Sequence, residues 1–382
     1  MKLLDKDILA QNLNTAMEAD LADCRIGGAS VTVYQEGQTP FSACWGYRDT
    51  EKQLPMQPGT LFRLASMTKP VTAAAVLLQI GRGKLDLNDE VSEYIPSFAD
   101  KWVGRMEGGK VVPDHKAKTP IRILHLLTHT SGILAADEIG TKQPFFPADP
   151  VFDLAHNVDY FGEHILLSND PMEKAMYSWT AAFDVAARIV ELTSDKSFSD
   201  FLKENFFDPM GMTDTGFFPS DGQWERMTEM HNRVDGKNAS VDMKRYTFGV
   251  IPLTYTCAGA SLTATVEDYA KFARMLLDEG TFEGREILSP DMIRLMRTPH
   301  IPETVMNIGK GETWGLGVRV IKDDPFLGRG CFGWSGAYGT HFWVDPENRL
   351  YAIYAKNSCY DGGSGAQTAR QFERCVAGAL RD

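Results

Sequence analysis

The amino-acid sequence predicts an α/β (α+β) fold, in which helices flank an antiparallel sheet and a mainly helical domain is inserted between its parts. Three observations predict this arrangement. Strand patterns occur before about residue 50, helical patterns with little strand signal occupy residues 86–243, and strand patterns return after about residue 247. A single sheet that joins the first and last strands is the simplest packing that buries both groups.

The N-terminal elements are predicted to be a helix, a hairpin and a second helix. Residues 1–24 show an amphipathic pattern that is typical of a helix. Residues 29–37 alternate between apolar and polar side chains and end in a turn signal, and residues 41–49 follow, which predicts a β-hairpin. An alanine-rich helix is predicted over about residues 66–81, with Pro70 in its first turns, where proline is tolerated.

The middle of the chain is predicted to be an inserted domain over residues 86–244. Proline and glycine loops separate its helical stretches. The clearest of these stretches are IRILHLLTHT, AAFDVAARIVELTS and SFSDFLKENFFDPMGM.

The C-terminal part is predicted to return to the sheet. Thr265 and Asp268 begin a further helix with a spacing that resembles a capping box. Three strands follow, of which the last two pair across a turn at residues 345–348, and a final helix is predicted over about residues 365–380. The strands are WGLGVRVIK, GTHFWVDP and RLYAIYAKN. The sheet domain then comprises residues 1–85 and 245–382, with the active site expected in the cleft between the two domains.

The composition restricts the partners of the protein. The 382 residues are 43% hydrophobic and 24% charged, as in globular proteins, and the formal net charge is −12. This negative charge argues against nucleic acid or an anionic membrane as the main partner. The first residues do not show a signal-peptide pattern, and no apolar run approaches the ~18 residues of a membrane span. We therefore expect a cytoplasmic protein that acts on a small molecule.

Ser66 is the only serine in the chain with a lysine three positions later, Lys69. At this spacing on a helix both side chains lie on one face. A serine hydroxyl is a poor nucleophile unless a neighbouring group takes its proton, so this pair is a candidate for acyl transfer. The alternative is structural: Ser66 would cap the helix, and Lys69 would extend to the surface.

Other motifs are weaker. His125 and His129 have the i, i+4 spacing of zinc ligands, but the glutamate of HExxH and a third ligand are missing, so we predict structural histidines and no metal. No serine lies in G-x-S-x-G, which disfavours an α/β-hydrolase. The nucleotide-binding patterns GxGxxG and GxxxxGK[ST] are also missing, and no cofactor is expected.

Several segments together resemble the serine β-lactamase and penicillin-recognising family. They are LFRLASMTKPVTAAAVLLQIGRGKLDLNDEVSEYIP, LLTHTSGI, FFDPMGMTDTGFF, WGLGVRV and GWSGAYGTHFWVDP, and they occur in the order that the family shows. The resemblance extends from about residue 28 to residue 360 and implies a β-lactamase/transpeptidase-like fold. It also implies that Ser66 and Lys69 form the S-x-x-K motif of a serine acyl-transfer site.

The resemblance assigns further site residues. In the second motif Tyr177 holds the tyrosine position, and its phenol would accept the Ser66 proton and pass it to the leaving group. Trp179 stands where the family has asparagine. The third motif, Lys-Thr-Gly in the β-lactamases, is Trp334-Ser335-Gly336 here. The backbone N–H groups of Ser66 and Ala337 would then form the oxyanion hole.

The departures from the family pattern favour an uncharged substrate. Trp334 replaces the lysine that helps to hold a substrate carboxylate, and Trp179 replaces the asparagine that helps to hold an amide. These features resemble the family VIII carboxylesterases, which implies hydrolysis of small, short-chain esters with weak or no β-lactamase activity. Residues 135–160 are a predicted wall of the pocket. A β-lactamase, a D-amino-acid peptidase or amide hydrolase, an acyltransferase and a catalytically silent binding protein remain alternatives.

Overall fold

The computed structural model of the protein describes residues 1–243, 246–248, 251–305 and 308–382. The predicted domain boundary at residues 244 and 245 lies outside the described residues. None of the described helices combines the length and the apolar character needed to cross a membrane. The helices are α1 (Lys6–Ala22), α2 (Thr68–Gly81), α3 (Val91–Tyr94), α4 (Ile123–Leu127), α5 (Glu138–Thr141), α6 (Leu154–His164), α7 (Ala181–Ser194), α8 (Phe198–Leu202), α9 (Asp221–Trp224), α10 (Val266–Leu277), α11 (Pro290–Arg297) and α12 (Gln367–Ala377).

An eight-stranded antiparallel sheet forms the centre of the molecule. In spatial order its strands are Glu312–Trp314, Arg319–Ile321, Phe332–Ser335, Thr340–Asp345, Leu350–Lys356, Gly28–Gln35, Phe41–Asp49 and Leu54–Pro55. The last long C-terminal strand pairs with the first long N-terminal strand, so that Ile353 lies opposite Thr32. This confirms the predicted sheet that joins the two ends of the chain.

Both faces of the sheet are covered because its central strands are apolar on both sides. Along Leu350–Lys356, Tyr351 and Ile353 enter one core, whereas Ala352 and Tyr354 enter another. This is the alternation expected of a strand. Helices α1 and α12 cover the second face, and α10 packs on the first. Helix α10 begins as predicted, because the Thr265 side chain accepts a hydrogen bond from the Asp268 N–H.

The alanine-rich helix α2 is buried along almost its whole length. Its small side chains, such as those of Ala73 and Ala74, allow α7 to pack closely beside it. The predicted start at about Ser66 is right to within two residues, because a 3₁₀ turn over Ala65–Met67 precedes the helix. One apolar core includes both α2 and α7, so it contains residues of both predicted domains.

The prediction of little strand in the middle segment is wrong. Two hairpins occur there, Trp102–Glu107 with Lys110–Lys116 and Met230–Val234 with Lys237–Val241. Their outer residues are polar and partly exposed, so apolar alternation gives little signal. The turn dipeptide Asp235-Gly236 was the available signal, because both residues have positive φ, as type I′ turns require.

The C-terminal elements also differ in detail from the prediction. The segment WGLGVRVIK is not one strand: it contains the end of the strand Glu312–Trp314 and the strand Arg319–Ile321, because the chain turns between them at Gly317, which has a φ of 68°. Short strand pairs occur outside the main sheet. They are Leu3–Leu4 with Leu380–Arg381, Phe62–Arg63 with Thr263–Ala264, Tyr246–Phe248 with Ile251–Pro252, and Thr281–Phe282 with Arg285–Glu286.

Candidate active site

The candidate nucleophile Ser66 lies in a tight turn between the short strand Phe62–Arg63 and α2. Ala65, the residue before it, has a φ of 47°, in the left-handed region that non-glycine residues adopt at an energetic cost. The residue at the N-cap position of α2 is Met67. The alternative prediction that Ser66 caps this helix is therefore wrong, and its hydroxyl has other partners.

Lys69 is the second residue of α2 and is fully buried. Its Nζ donates to Ser66 Oγ over 3.1 Å, to the carbonyl oxygen of Gly259 over 3.0 Å and to the carbonyl oxygen of Trp179. An ammonium group has three N–H donors, so each has an acceptor. The alternative prediction of a surface lysine is wrong, and Lys69 places a positive charge beside the Ser66 hydroxyl.

Tyr177 lies in the segment that precedes α7, and its OH donates to Ser66 Oγ over 2.8 Å. The indole Nε1 of Trp334 donates to the same phenol oxygen over 3.3 Å. Lys69 Nζ lies 4.9 Å from the centroid of the Tyr177 ring. The structure thus brings the three predicted catalytic side chains together, and one hydroxyl contacts both a cation and a phenol.

The strand Phe332–Ser335 and the turn after it form another wall of the site. A Cβ atom at Gly336 would lie only 2.2 Å from the carbonyl oxygen of Leu64, so glycine is required for this close approach. The predicted oxyanion donors belong to Ser66 and Ala337, and both residues line one cavity. The role of their backbone N–H groups as an oxyanion hole stays a prediction.

The Ser335 hydroxyl does not join the catalytic hydroxyls. Its Oγ lies 2.7 Å from Nδ1 of His341, the residue opposite it on the neighbouring strand. His341 Nε2 in turn lies 3.0 Å from Glu373 Oε1. The side chain of Ser335 thus belongs to a buried polar chain, and the residue also lines the cavity.

The cavity at Ser66 has a volume of about 470 Å³ and aromatic walls. Tyr177 and both predicted tryptophans, Trp179 and Trp334, line it, together with Trp314. The rings of Trp314 and Trp334 lie 4.7 Å apart. Sequence reasoning missed several lining residues, which the chain brings from separate loops and, for Trp314, from the end of the strand Glu312–Trp314. They are Thr180, Ala260, Ile308, Trp314, Gly363 and Ser364.

A second cavity of about 330 Å³ shares Trp179 and Thr180 with the first. Its walls are mainly apolar and include Leu134, Phe145 and Ile251. The predicted pocket wall over residues 135–160 therefore contributes to this second cavity, through Ala135 to Phe145. Trp179, which is 53% exposed, lines both cavities, and we call it the partition between them.

Both histidines of HLLTH accept hydrogen bonds from backbone N–H groups. Nδ1 of His125 accepts from the Arg122 N–H, and Nδ1 of His129 accepts from the Ser178 N–H, both over 3.1 Å. Among the described residues, no three histidine, cysteine, aspartate or glutamate side chains form a group that could hold a metal ion. These hydrogen bonds give both histidines structural roles.

Asp184 on α7 is a buried carboxyl group that the sequence analysis did not single out. It accepts from Tyr255 OH over 3.1 Å and from the Ala258 N–H over 2.7 Å. Burial raises the pKa of Asp184 to about 8, although these hydrogen bonds and the charge of Lys69 act in the opposite direction. By holding Ala258, Asp184 also fixes the adjacent Gly259 carbonyl that accepts from Lys69. An acid within the otherwise apolar AAFDVAA stretch was the available signal.

Known proteins are similar to this chain in sequence and in architecture. The Beta-lactamase family model matches residues 13–372. Protein Rv1367c of Mycobacterium tuberculosis is 33% identical, over 88% of this chain and 87% of its own. Esterase EstB of Burkholderia gladioli is 27% identical, over 96% of this chain and 94% of its own. The solved structure of EstCE1, described as a hydrolase with promiscuous acyltransferase activity, has a TM-score of 0.79 at 23% identity, over 97% of this chain and 99% of its own.

These matches agree with the observed fold. The family model extends over nearly the whole chain, and the mycobacterial relative matches most of both proteins. The large antiparallel sheet with flanking helices is the architecture shared with EstCE1. The chain belongs to the Beta-lactamase family, and it is a serine hydrolase of the superfamily of serine β-lactamases and penicillin-binding proteins.

Proposed function

We propose that this protein is a serine carboxylesterase that hydrolyses small, uncharged, short-chain esters through an acyl-enzyme on Ser66. One observation carries the proposal: Ser66 Oγ contacts both Lys69 Nζ and Tyr177 OH at the wall of an aromatic cavity. A nucleophile, a fixed cation and a proton-transfer group are the parts that acyl transfer needs.

In the first half of the reaction Ser66 Oγ attacks the ester carbonyl carbon. The Tyr177 OH, which donates a hydrogen bond to Ser66 Oγ, first loses its proton to solvent; the phenolate oxygen, beside the positive charge of Lys69, then accepts the Ser66 proton. The bond between the carbonyl carbon and the alcohol oxygen then breaks. Tyr177 gives its proton to that oxygen, so that the alcohol leaves neutral and the phenolate is restored. The contact of 2.8 Å between the Tyr177 and Ser66 oxygens is short enough for direct proton transfer.

The second half releases the acid. A water molecule attacks the acyl-enzyme carbonyl, Tyr177 accepts one water proton, and the Ser66 oxygen leaves as the new acid forms. The proton then passes from Tyr177 to the Ser66 oxygen. In both halves the N–H groups of Ser66 and Ala337 stabilise the negative carbonyl oxygen. Loss of one such donor typically lowers the rate ~10²–10³-fold.

The preference for an uncharged ester rests on the cavity walls. Among the described residues that line the cavity, none is a lysine or an arginine. Trp334 and Trp179 offer apolar surface where a β-lactamase of the Lys-Thr-Gly type offers polar groups. The relative EstB is named an esterase, which supports the same substrate class.

Acyl transfer to an alcohol is a second candidate function. The aromatic walls of the cavity disfavour water relative to an apolar alcohol at the acyl-enzyme. EstCE1, which shares the fold, is described as having promiscuous acyltransferase activity. Incubation of a vinyl ester with excess butanol distinguishes the two functions. Butyl ester as the main product supports transfer, whereas free acid as the main product supports hydrolysis.

The decisive experiment compares hydrolysis of p-nitrophenyl butyrate by the wild type, Ser66→Ala and Ser42→Ala. Ser42 lies on the remote strand Phe41–Asp49 and is the matched control. We expect activity in the wild type and the control and none above background in Ser66→Ala. Equal activity in Ser66→Ala would exclude Ser66 as the nucleophile. A higher kcat/KM for nitrocefin than for the butyrate would contradict the proposed substrate class.

A further inference from the structure

We propose that His129 is a positioning residue that holds the Tyr177 phenol on the Ser66 hydroxyl. This inference rests on the proposed function, in which Tyr177 carries the proton. His129 does not contact Ser66 through a hydrogen bond; it acts on the segment that carries Tyr177. Its backbone carbonyl, its ring and its backbone conformation each contribute to holding that segment.

His129 fixes the backbone on both sides of Tyr177. The Met176 N–H donates to the His129 carbonyl oxygen over 2.9 Å. The Ser178 N–H donates to Nδ1 of the His129 ring over 3.1 Å. Tyr177 itself accepts from the Ala136 N–H over 2.8 Å through its carbonyl oxygen. One histidine therefore holds the residues immediately before and after the phenol.

The His129 ring also contacts the phenol ring. Their centroids are 4.4 Å apart, and the Trp334 ring lies 5.6 Å from the same phenol. His129 is itself surrounded by Phe183 and Trp314, and only 1% of its surface is exposed. Packing of this density leaves the phenol little freedom to rotate away from Ser66.

An aromatic cage of this kind would suit phenylalanine better than histidine. Among the described residues, Nε2 of His129 has no hydrogen-bond partner, and a buried unpartnered group destabilises a protein. Since Nδ1 accepts from Ser178, the ring proton lies on Nε2 and the ring is neutral. Burial and the nearby Lys69 charge lower the pKa of His129 well below its usual 6.5, which keeps Nδ1 free to accept. Phenylalanine could fill the same space but could not accept the hydrogen bond from the Ser178 N–H.

The backbone conformation adds a third observation. His129 follows the end of α4 and has a φ of 58°, in the left-handed region. The Thr130 N–H bonds the His125 carbonyl over 3.0 Å, which is the pattern of a Schellman motif with His129 at the position that glycine usually takes. A histidine at this position accepts backbone strain, and the same turn aims its ring at the Tyr177 segment.

The test separates the hydrogen bond from the ring. His129→Phe keeps an aromatic ring and removes the acceptor. His129→Asn keeps an acceptor and tolerates positive φ, but it removes the ring. The matched control is His125→Phe, because His125 is also buried and its Nδ1 also accepts a backbone N–H, from Arg122, over 3.1 Å. Each variant is assayed for kcat and KM with p-nitrophenyl butyrate, for the rate of Ser66 labelling by a fluorophosphonate, and for Tm.

We expect His129→Phe to lower kcat and the labelling rate ~10²-fold with KM changed less than about threefold, as a displaced catalytic group does. His129→Asn should lower kcat about tenfold, and His125→Phe should stay within about threefold of the wild type. The proposal is overturned if His129→Phe retains kcat within about threefold, or if His125→Phe loses as much activity at a similar Tm.

The two readouts also distinguish this inference from the proposed function. If the wild type labels with fluorophosphonate but does not hydrolyse the butyrate, the proposed substrate is wrong. The labelling rates of the variants then still decide the role of His129. If the wild type neither labels nor hydrolyses, Ser66 is not activated, and both the proposed function and this inference are overturned.

Discussion

At the scale of single residues, the fixed positive charge and the mobile proton of the site belong to two different side chains. All three Lys69 N–H donors have acceptors, so this ammonium is fixed as a donor and as a source of positive charge. Tyr177 has one hydroxyl between Ser66 and Trp334, and its proton can move along the contact with Ser66. Lys69 therefore sets the local electrostatics, whereas Tyr177 transfers the proton. Removal of the phenol oxygen should therefore prevent proton transfer and leave the positive charge of Lys69 in place.

We predict that Tyr177→Phe lowers kcat for p-nitrophenyl butyrate ~10²–10⁴-fold, the range that loss of general acid–base catalysis gives. KM should change little, because the ring that lines the cavity remains. The measurement is steady-state kinetics together with Tm. Tyr94→Phe is the control, since Tyr94 OH donates to Asp89 over 2.6 Å outside the cavity. A Tyr177→Phe enzyme as active as this control would show that another group takes the Ser66 proton.

At the scale of elements, local patterns were predictable and the assembly of loops was not. Ser66 and Lys69 are only three residues apart, across the junction between the 3₁₀ turn and α2, so the sequence was sufficient to predict their proximity. Tyr177 lies 111 residues from Ser66 and was predicted through the family motif rather than through any local pattern. Thr180 and Ser364 reach the cavity from loops with no periodic signal, and the positions of such loops depend on tertiary packing.

The partition between the two cavities should limit the acyl or alcohol chain that fits. We predict that Trp179→Ala joins the cavity at Ser66 to the apolar cavity of about 330 Å³. The ratio of kcat/KM for p-nitrophenyl octanoate to that for the butyrate should then rise about tenfold or more, as expected for several additional buried methylene groups. The hydrogen bond from Lys69 should persist, because its acceptor is the backbone carbonyl of residue 179.

The control for this prediction is Trp102→Ala. Trp102 is also a partly exposed tryptophan, and it lies on the hairpin strand Trp102–Glu107, outside both cavities. The chain-length profile of this variant should match that of the wild type. If Trp179→Ala has the wild-type profile as well, the second cavity does not bind substrate. A loss of all activity with a normal Tm would instead indicate that the Trp179 side chain helps to position Lys69.

At the scale of the whole molecule, a buried polar chain connects the C-terminal helix to the wall of the active site. Ser335 bonds His341, His341 bonds Glu373 of α12, and Glu373 bonds Arg319 over 3.1 Å. Arg319 and Glu373 are each only 1% exposed. Loss of one partner of a buried ion pair is strongly destabilising, because the other charge loses compensation; without Glu373, Arg319 would keep its ion pair with Glu312 Oε1, over 2.9 Å. The strand that ends at Ser335 therefore depends on α12 for its support.

The ionisation of Glu373 predicts how this support varies with pH. Burial alone would raise the pKa of Glu373, but the hydrogen bond with His341 and the charges of Arg319 and Arg370 lower it to about 2. In the unfolded chain the pKa returns to about 4.5. The ionised carboxylate therefore stabilises the folded state at a pH above about 4.5, and this contribution is lost as the pH falls towards about 2. The pKa difference corresponds to on the order of 3 kcal/mol.

We predict that Glu373→Gln lowers the free energy of unfolding by on the order of 3 kcal/mol at neutral pH. The difference in free energy of unfolding between the wild type and the variant should narrow as the pH falls from about 4.5 to about 2, because the wild type loses the contribution of the ionised carboxylate, which the variant lacks. Urea unfolding followed by circular dichroism at about pH 7 and about pH 3 measures both gaps. The control is Glu286→Gln, at an exposed strand residue, and its free energy of unfolding should match that of the wild type at both pH values. An equal gap at both pH values would mean that Glu373 stabilises the fold through packing rather than through its charge.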